Sequence, residues 1–245
     1  MKSASTIGPA VTLVFAAILT ATVQAKPGEA PTDAEAKERR GPLARLPSEP
    51  HGAHLAKIEV LNNNAWVDLG SPAPDPKWGK APGRCWAPRM PFAPDMRGAF
   101  LFGEGPHGKV KPDGHYLDDL WFYDLNAHRW ICVYPGIHAE EGYAKVRINK
   151  DGFEVGPDGY PLMIAAVGHG YCAGTYDTDR KLFMSAPTFQ HYWKKRIKGR
   201  KEALAANKAK LADEQHTSPW IYNTVEGHWN RFKTGNRRAA EGSGC

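Results

Sequence analysis

The chain has 245 residues, of which 42% are hydrophobic and 24% charged, and its formal net charge is +6 at pH 7. This composition is that of an ordinary globular protein, and it excludes wholesale disorder and a membrane protein with many spans. The positive excess is too small to indicate nucleic acid binding by itself, and none is expected. The 25 glycines, 20 prolines and 8 tryptophans favour many turns between short aromatic strands.

The first 25 residues have the pattern of a cleaved secretory signal peptide. Lys2 is followed by an uncharged run over residues 9–25, which ends in Val23-Gln24-Ala25. The most apolar part of this run is shorter than the ~20 residues that a membrane-spanning helix needs. We therefore expect cleavage after Ala25 and a secreted or periplasmic protein with no stable membrane span. An uncleaved N-terminal anchor is the alternative.

Residues 26–55 contain many Pro, Ala and charged residues and few large apolar ones. Such a composition cannot bury enough apolar surface to offset the entropy of ordering the chain. The segment is therefore predicted to be a flexible linker between the signal peptide and the folded part.

One aromatic pattern occurs twice in the same register, with each pair of equivalent residues separated by 99 positions. The residues are Trp121, Tyr123 and Trp130 in the first copy and Trp220, Tyr222 and Trp229 in the second. In each copy a Trp and a Tyr two residues apart share one face of a strand, and the second Trp begins the returning strand after a short polar turn. The pattern predicts two antiparallel hairpins.

Earlier apolar segments predict two further strands in front of each hairpin. The second strands are expected at residues 99–103 and 181–185, and the first strands at residues 84–88 and 170–176. Each copy is then a meander of four antiparallel strands.

The pattern resembles the kelch repeat, whose blades of about 50 residues build β-propellers. The resemblance is carried by the strand ending at residues 101–103, by the segment from Asp119 to Asp124 and by the closing Trp130. Residues 57–66, which end in Trp66, look like the last two strands of a further blade. The resemblance implies an all-β fold, a partial kelch-type β-propeller over residues 56–233. An ordinary β-sandwich with aromatic hairpins is the alternative.

Half a blade and two full blades cannot close a ring that usually needs four or more. Open edges of this kind favour association with other strands. Either copies of the chain associate to complete the propeller, or the sequence belongs to a longer protein. The second reading is favoured because residues 234–245 stop where a third blade would begin, as a flexible tail or the start of that blade.

The long connections between the predicted strands all emerge at one end of the meanders, and this end is the expected binding surface. They cover roughly residues 71–83, 104–116, 135–161 and 187–219. An Asp-Gly turn predicts a small hairpin at residues 145–155. Apolar residues at helical spacing predict a helical insert at about residues 190–214, whose other sides are strongly basic.

The candidate binding residues on this surface are His107, Asp113, His115, Arg147, Lys194, Lys195 and Arg196. The spacing of the two histidines matches no standard metal site, so no metal and no cofactor are expected. The basic run is interpreted either as an attraction for an acidic ligand or as a solvated helix face.

The main functional hypothesis is an exported binding module that holds a protein or glycan partner. The resemblance also allows an alternative, since some kelch propellers are copper-radical sugar oxidases or sialic-acid mutarotases. No catalytic residues at a recognisable spacing support an enzyme. Cys85 and Cys172 occupy similar positions in the expected first strands, where they would form a disulfide or remain as two buried thiols.

Overall fold

A computed structural model describes residues 39–84, 90–102, 118–136, 146–163, 174–185 and 219–231. The chain divides into two units, Met1–Ala36 and Lys37–Cys245, and every described residue belongs to the second unit. The expected signal peptide, helical insert and C-terminal tail lie outside the described residues, so these three expectations stay predictions.

The described part of the second unit consists mainly of short strands. In chain order the strands are β1 (Phe92–Ala93), β2 (Gly98–Phe102), β3 (Leu120–Asp124), β4 (Arg129–Tyr134), β5 (Arg147–Ile148), β6 (Glu154–Val155), β7 (Gly174–Asp177), β8 (Leu182–Ser185), β9 (Trp220–Asn223) and β10 (His228–Asn230). The helical elements are α1 (His54–Glu59) and two 3₁₀ helices, Gly41–Arg45 and Pro94–Met96. The predicted all-β class is confirmed.

The strands form two four-stranded antiparallel sheets and one two-stranded sheet. Sheet 1 has the order β1-β2-β3-β4, sheet 2 has the order β7-β8-β9-β10, and β5 pairs with β6. In both larger sheets each strand therefore neighbours the next one along the chain. The first strand of sheet 1 differs from expectation, because it is β1 and not residues 84–88. Arg84 lies outside the strands and its side chain instead binds Asp119, while residues 85–89 are outside the described ranges.

The two aromatic hairpins have the predicted common register. Tyr123 pairs with Trp130, and Tyr222 pairs with Trp229 in the same way. Each turn starts with a side chain whose oxygen accepts hydrogen bonds from the backbone N–H groups two and three residues later. Asp124 Oδ1 does so in sheet 1 and Asn223 Oδ1 in sheet 2. The two copies therefore use one turn chemistry.

Both turns end with a residue in the left-handed region, four positions after the capping residue. These residues are His128, with φ 47°, and Gly227, with φ 78°. Glycine is needed at residue 227 because a Cβ there would lie 2.8 Å from the backbone oxygen of Arg40.

The two sheets stack with their equivalent faces turned the same way. We call the face with the repeated aromatic residues the front face and the opposite face the back face. The front face of sheet 2 packs on the back face of sheet 1: the ring of Phe183 lies 5.0 Å from that of Phe100 and 5.5 Å from that of Phe102. The front face of sheet 1 packs instead against Trp78 and Ala81. In a β-sandwich two equivalent inner faces meet, and here a front face meets a back face.

The main hydrophobic core lies between the two sheets. Its buried members include Leu43, Met96, Phe100, Phe102, Phe122, Met163, Phe183, Tyr222 and Trp229. A smaller core on the front face of sheet 1 contains Leu101, Trp121 and Cys132. Trp130 packs against this smaller core and is half-buried.

The expected extra blade at residues 57–66 is wrong. The segment begins within α1 and continues as turns and extended chain with no strand, and Trp66 is 98% exposed. Residues further along the chain make one sheet contact, since Ala73 forms a parallel bridge with Arg129 at the outer edge of β4. Residues 57–66 form no strand because a strand needs a partner, and no described strand lies beside them.

The predicted flexible linker is also wrong for its described part, residues 39–55. This segment, which we call the strap, crosses the tight turns of both sheets. Arg40 N–H donates to Val225 O at 2.7 Å, and His51 N–H donates to Asn126 O at 2.8 Å. Leu43 is 1% exposed within the main core. Backbone hydrogen bonds and one buried leucine anchor the strap, although its composition is polar.

Replacing Leu43 with alanine is expected to lower the free energy of unfolding by roughly 2–5 kcal/mol, because it leaves a cavity in the main core. Leu125→Ala is the control, since this turn leucine is 36% exposed; its effect should be within about 0.5 kcal/mol. Urea unfolding followed by circular dichroism measures both. Equal effects would mean that the strap does not contribute to the folded core.

Candidate functional site

The strands of both sheets run between two different ends. At the turn end lie the tight turns, residues 94–97, 125–128, 178–181 and 224–227. At the opposite end β2 finishes at Phe102 and β3 starts at Leu120, and β8 finishes at Ser185 before β9 starts at Trp220. We call this the long-connection end. The residues between these strand ends, 103–117 and 186–218, lie outside the described ranges. The predicted long connection at residues 71–83 is wrong in its placement, because this segment runs along the outer edge of β4. Ala73 pairs with Arg129 next to the tight turn, and Asp75 Oδ2 accepts a hydrogen bond from Cys132 N–H at 3.0 Å.

Of the candidate binding residues, Arg147 is the one that the structure describes. It is exposed at the start of β5, and its Nη2 donates to Pro157 O at 2.7 Å. The other six candidates are His107, Asp113, His115, Lys194, Lys195 and Arg196, which lie outside the described residues. Whether these residues come together with Arg147 stays a prediction.

The predicted small hairpin is confirmed, with a wider turn than a two-residue Asp-Gly turn. Arg147 pairs with Val155 and Ile148 with Glu154. Asn149 Oδ1 accepts hydrogen bonds from the N–H groups of Asp151 and Phe153, at 3.0 and 2.9 Å. The turn therefore takes in residues 149–153, because the asparagine caps the loop before the Asp-Gly pair is reached.

A buried ion pair lies below the long-connection end of sheet 1. Arg84 Nη2 donates to Asp119 Oδ1 at 2.7 Å, and the indole Nε1 of Trp121 donates to Asp119 Oδ2 at 2.6 Å. The two charged side chains are 3% and 5% exposed. Burial raises the pKa of Asp119, against the opposing effects of the Arg84 charge and of these hydrogen bonds. The Asp119 carboxylate thus links the segment that contains Arg84 to the aromatic front face of sheet 1.

A second buried arginine lies beside the equivalent tryptophan of sheet 2. The guanidinium of Arg231 lies 3.9 Å from the ring centre of Trp220 and 5.3 Å from that of Phe153, in the small hairpin. Burial lowers the pKa of Arg231 to about 9, while the negative charge of buried Glu154 acts in the opposite direction. This cluster fixes the hairpin to the edge of sheet 2 through cation–π contacts.

Trp121 and Trp220 are the equivalent first tryptophans of the repeated pattern. Trp220 contacts Arg231 directly, whereas Trp121 binds Asp119, which pairs with Arg84. Arg84, Glu154 and Arg231 are not among the residues predicted from the sequence. The only local signal for the Arg84–Asp119 cluster is that Asp119 stands two residues before Trp121, where its carboxylate can reach the indole. Arg84 is 35 positions away from Asp119, and no spacing rule relates two such residues.

The described cysteine, Cys132, is free and buried on the front face of sheet 1. Burial, together with the charges of Asp119 and Asp75, raises the pKa of its thiol, so it stays protonated and unreactive at neutral pH. Cys85 and Cys172 lie outside the described residues, and their disulfide stays a prediction.

Among the described side chains, no group of three His, Cys, Asp or Glu residues is arranged to hold a metal ion. Within the same ranges, none of the helices has the length and apolar character needed to cross a membrane. The sequence matches no protein-family model, and no curated protein matches it significantly.

Proposed function

We propose that the chain is an exported kelch-type propeller module that binds a protein or glycan ligand at its long-connection end. The observation that supports this most is the front-to-back stacking of two sheets with the same hairpin register. With this stacking, the strand ends that flank residues 103–117 and 186–218 lie at one end of the stack, where loops on a rigid base would form a binding surface.

The turn end has a different character. The strap covers it, and its turns are closed by internal hydrogen bonds. Asp95 there accepts hydrogen bonds or ion pairs from Arg39, Lys181 and Tyr176, at 3.1 to 3.2 Å. Polar groups at the turn end are therefore largely engaged within the chain, which favours the long-connection end for a ligand.

The charge of the candidate residues favours an acidic ligand. Four of the seven, Arg147, Lys194, Lys195 and Arg196, are cationic, and the whole chain carries a formal charge of +6. Cationic side chains attract carboxylate or sulfate groups, and the attraction between solvated charges weakens as the salt concentration rises.

Isothermal titration with polygalacturonate, compared with neutral cellohexaose, tests the glycan form of this proposal. Arg147→Ala should weaken binding of the acidic polymer about two- to fivefold, the effect of one exposed charge contact. The triple variant K194A/K195A/R196A should weaken it roughly tenfold or more.

Arg180→Ala is the matched control, because Arg180 is an arginine on a tight turn with 74% of its side chain exposed. Its effect should be less than about twofold. Equal losses in Arg147→Ala and Arg180→Ala would mean that net charge alone attracts the polymer. Absence of binding to either glycan, or a preference for cellohexaose, would contradict an acidic glycan ligand.

A further inference from the structure

The stacking of the sheets leaves the back face of sheet 2 as the next surface in the series. On the back face of sheet 1, Phe100, Phe122 and Ile131 form one row, because β2, β3 and β4 pair in that register. Phe100 and Phe122 are fully buried, and the front face of sheet 2 packs over this side.

The same row exists in sheet 2. Its residues are Met184, Ile221 and Asn230, which pair with one another across β8, β9 and β10. All three are half-buried, and among the described residues neither Met184 nor Ile221 belongs to the main core or to the smaller core on sheet 1. The interface between the two sheets would continue here by one more repeat.

Trp229, which covers the back face of sheet 1, stands in a local arrangement that both hairpins share. In both hairpins the closing tryptophan comes two residues after a residue with positive φ: Trp130 after His128, and Trp229 after Gly227. Trp229 then packs on Phe102 of the neighbouring sheet, with ring centres 6.1 Å apart.

A third segment of the chain has the same local arrangement. Trp66 follows Asn64, whose φ is 62°, by two residues. It is 98% exposed, and the nearby Val60 and Leu61 are 80% and 38% exposed. We call residues 58–67 the Trp66 arm. Its largest side chain has the local geometry of a closing tryptophan but covers no sheet.

We propose that the Trp66 arm of one copy of the chain binds the back face of sheet 2 in a second copy. Such a contact extends the interface already present between sheets 1 and 2, and it does not depend on the ligand of the long-connection end. The arm supplies an exposed tryptophan and aliphatic side chains, and the back face supplies Met184 and Ile221 as the apolar surface.

The contact forms between copies because the two surfaces lie on opposite sides of the stack. The arm follows α1, whose first residue, His54, contacts the ring of His128. That ring in turn contacts Tyr123 on the front face of sheet 1. Sheet 2 lies against the back face of sheet 1, and its own back face is one layer further away. Two copies can make the contact reciprocally, so that each Trp66 arm is buried against the back face of sheet 2 in the other copy.

Light scattering coupled to size-exclusion chromatography of the full chain at about 100 µM, well above a micromolar dissociation constant, tests the proposal. The wild-type chain should elute with at least twice the mass of one copy. Trp66→Ala and Ile221→Asp should each elute as one copy. Leu125→Ala, which removes an exposed apolar side chain on neither surface, should behave as wild type.

Mixing the two disrupted variants gives the decisive result. The W66A chain keeps an intact back face and the I221D chain keeps an intact arm, so an equimolar mixture should regain one contact and form a mixed dimer. Contact between two Trp66 arms would give no mixed dimer. Circular dichroism shows whether I221D folds, and Met184→Asp replaces it if it does not. A wild-type monomer at this concentration, association that survives Trp66→Ala, or a mixture that stays monomeric would each overturn the inference.

Discussion

Trp229→Ala is expected to lower the free energy of unfolding by about 3–5 kcal/mol, the usual cost of removing a large aromatic side chain from a core. Trp229 is 3% exposed and lies between the two sheets. Its ring centre is 5.2 Å from that of Tyr222 and 5.8 Å from that of Tyr134. The substitution therefore removes packing on both sides of the interface, and the cavity that remains is lined by rigid rings.

Trp66→Ala is the matched control for this prediction. The same residue type stands in the same place after a left-handed turn residue, but its side chain is 98% exposed. Measured at a protein concentration low enough to keep copies apart, its effect should be within about 0.5 kcal/mol. Urea unfolding followed by circular dichroism avoids the loss of fluorescence that both changes cause. Similar effects of the two substitutions would contradict the assignment of Trp229 to the interface between the sheets.

Trp66 and Trp229 also show what a local pattern can and cannot predict. The hairpins around Trp130 and Trp229 were predictable, because side-chain alternation and a capping Asp or Asn act over a few residues. The same signals around Trp66 predicted a hairpin that does not form. A turn and a tryptophan fix the local geometry, whereas a strand also depends on a partner that the local sequence does not specify.

The strap and the buried arginines were missed for the same physical reason. Composition predicted disorder for residues 26–55, but Arg40 and His51 are held through their backbone N–H groups, which any sequence other than proline supplies. The burial of Arg84 and Arg231 results from the tertiary arrangement, which brings Arg231 onto Trp220 and Arg84 onto Asp119, the carboxylate that Trp121 binds.

Arg84→Met should lower the free energy of unfolding by about 3–5 kcal/mol at neutral pH, since it leaves the buried Asp119 carboxylate without its counter-ion. Methionine keeps much of the side-chain volume, so the loss reports the charge more than the packing. The double variant R84M/D119N should recover most of the stability. Its asparagine carries no charge, and it still offers an oxygen to the indole N–H of Trp121.

The pH dependence of this loss separates the ion pair from a packing effect. Burial raises the folded-state pKa of Asp119, so the native state binds more protons than the unfolded state just above the ordinary carboxyl pKa. This group therefore makes the protein less stable as the pH rises through that interval. Removing Arg84 raises the folded pKa further, because the Arg84 charge is the largest influence that lowers it.

The cost of Arg84→Met should consequently be smaller at about pH 4 than at about pH 7.5, because protonation removes the uncompensated charge. Urea unfolding at the two pH values measures the difference. Arg180→Met is the control, since its ion pair with Asp177 lies on the surface and the arginine side chain is 74% exposed; it should change stability little at either pH. A loss in Arg84→Met that is the same at both pH values, and that persists in R84M/D119N, would assign the role of Arg84 to packing alone.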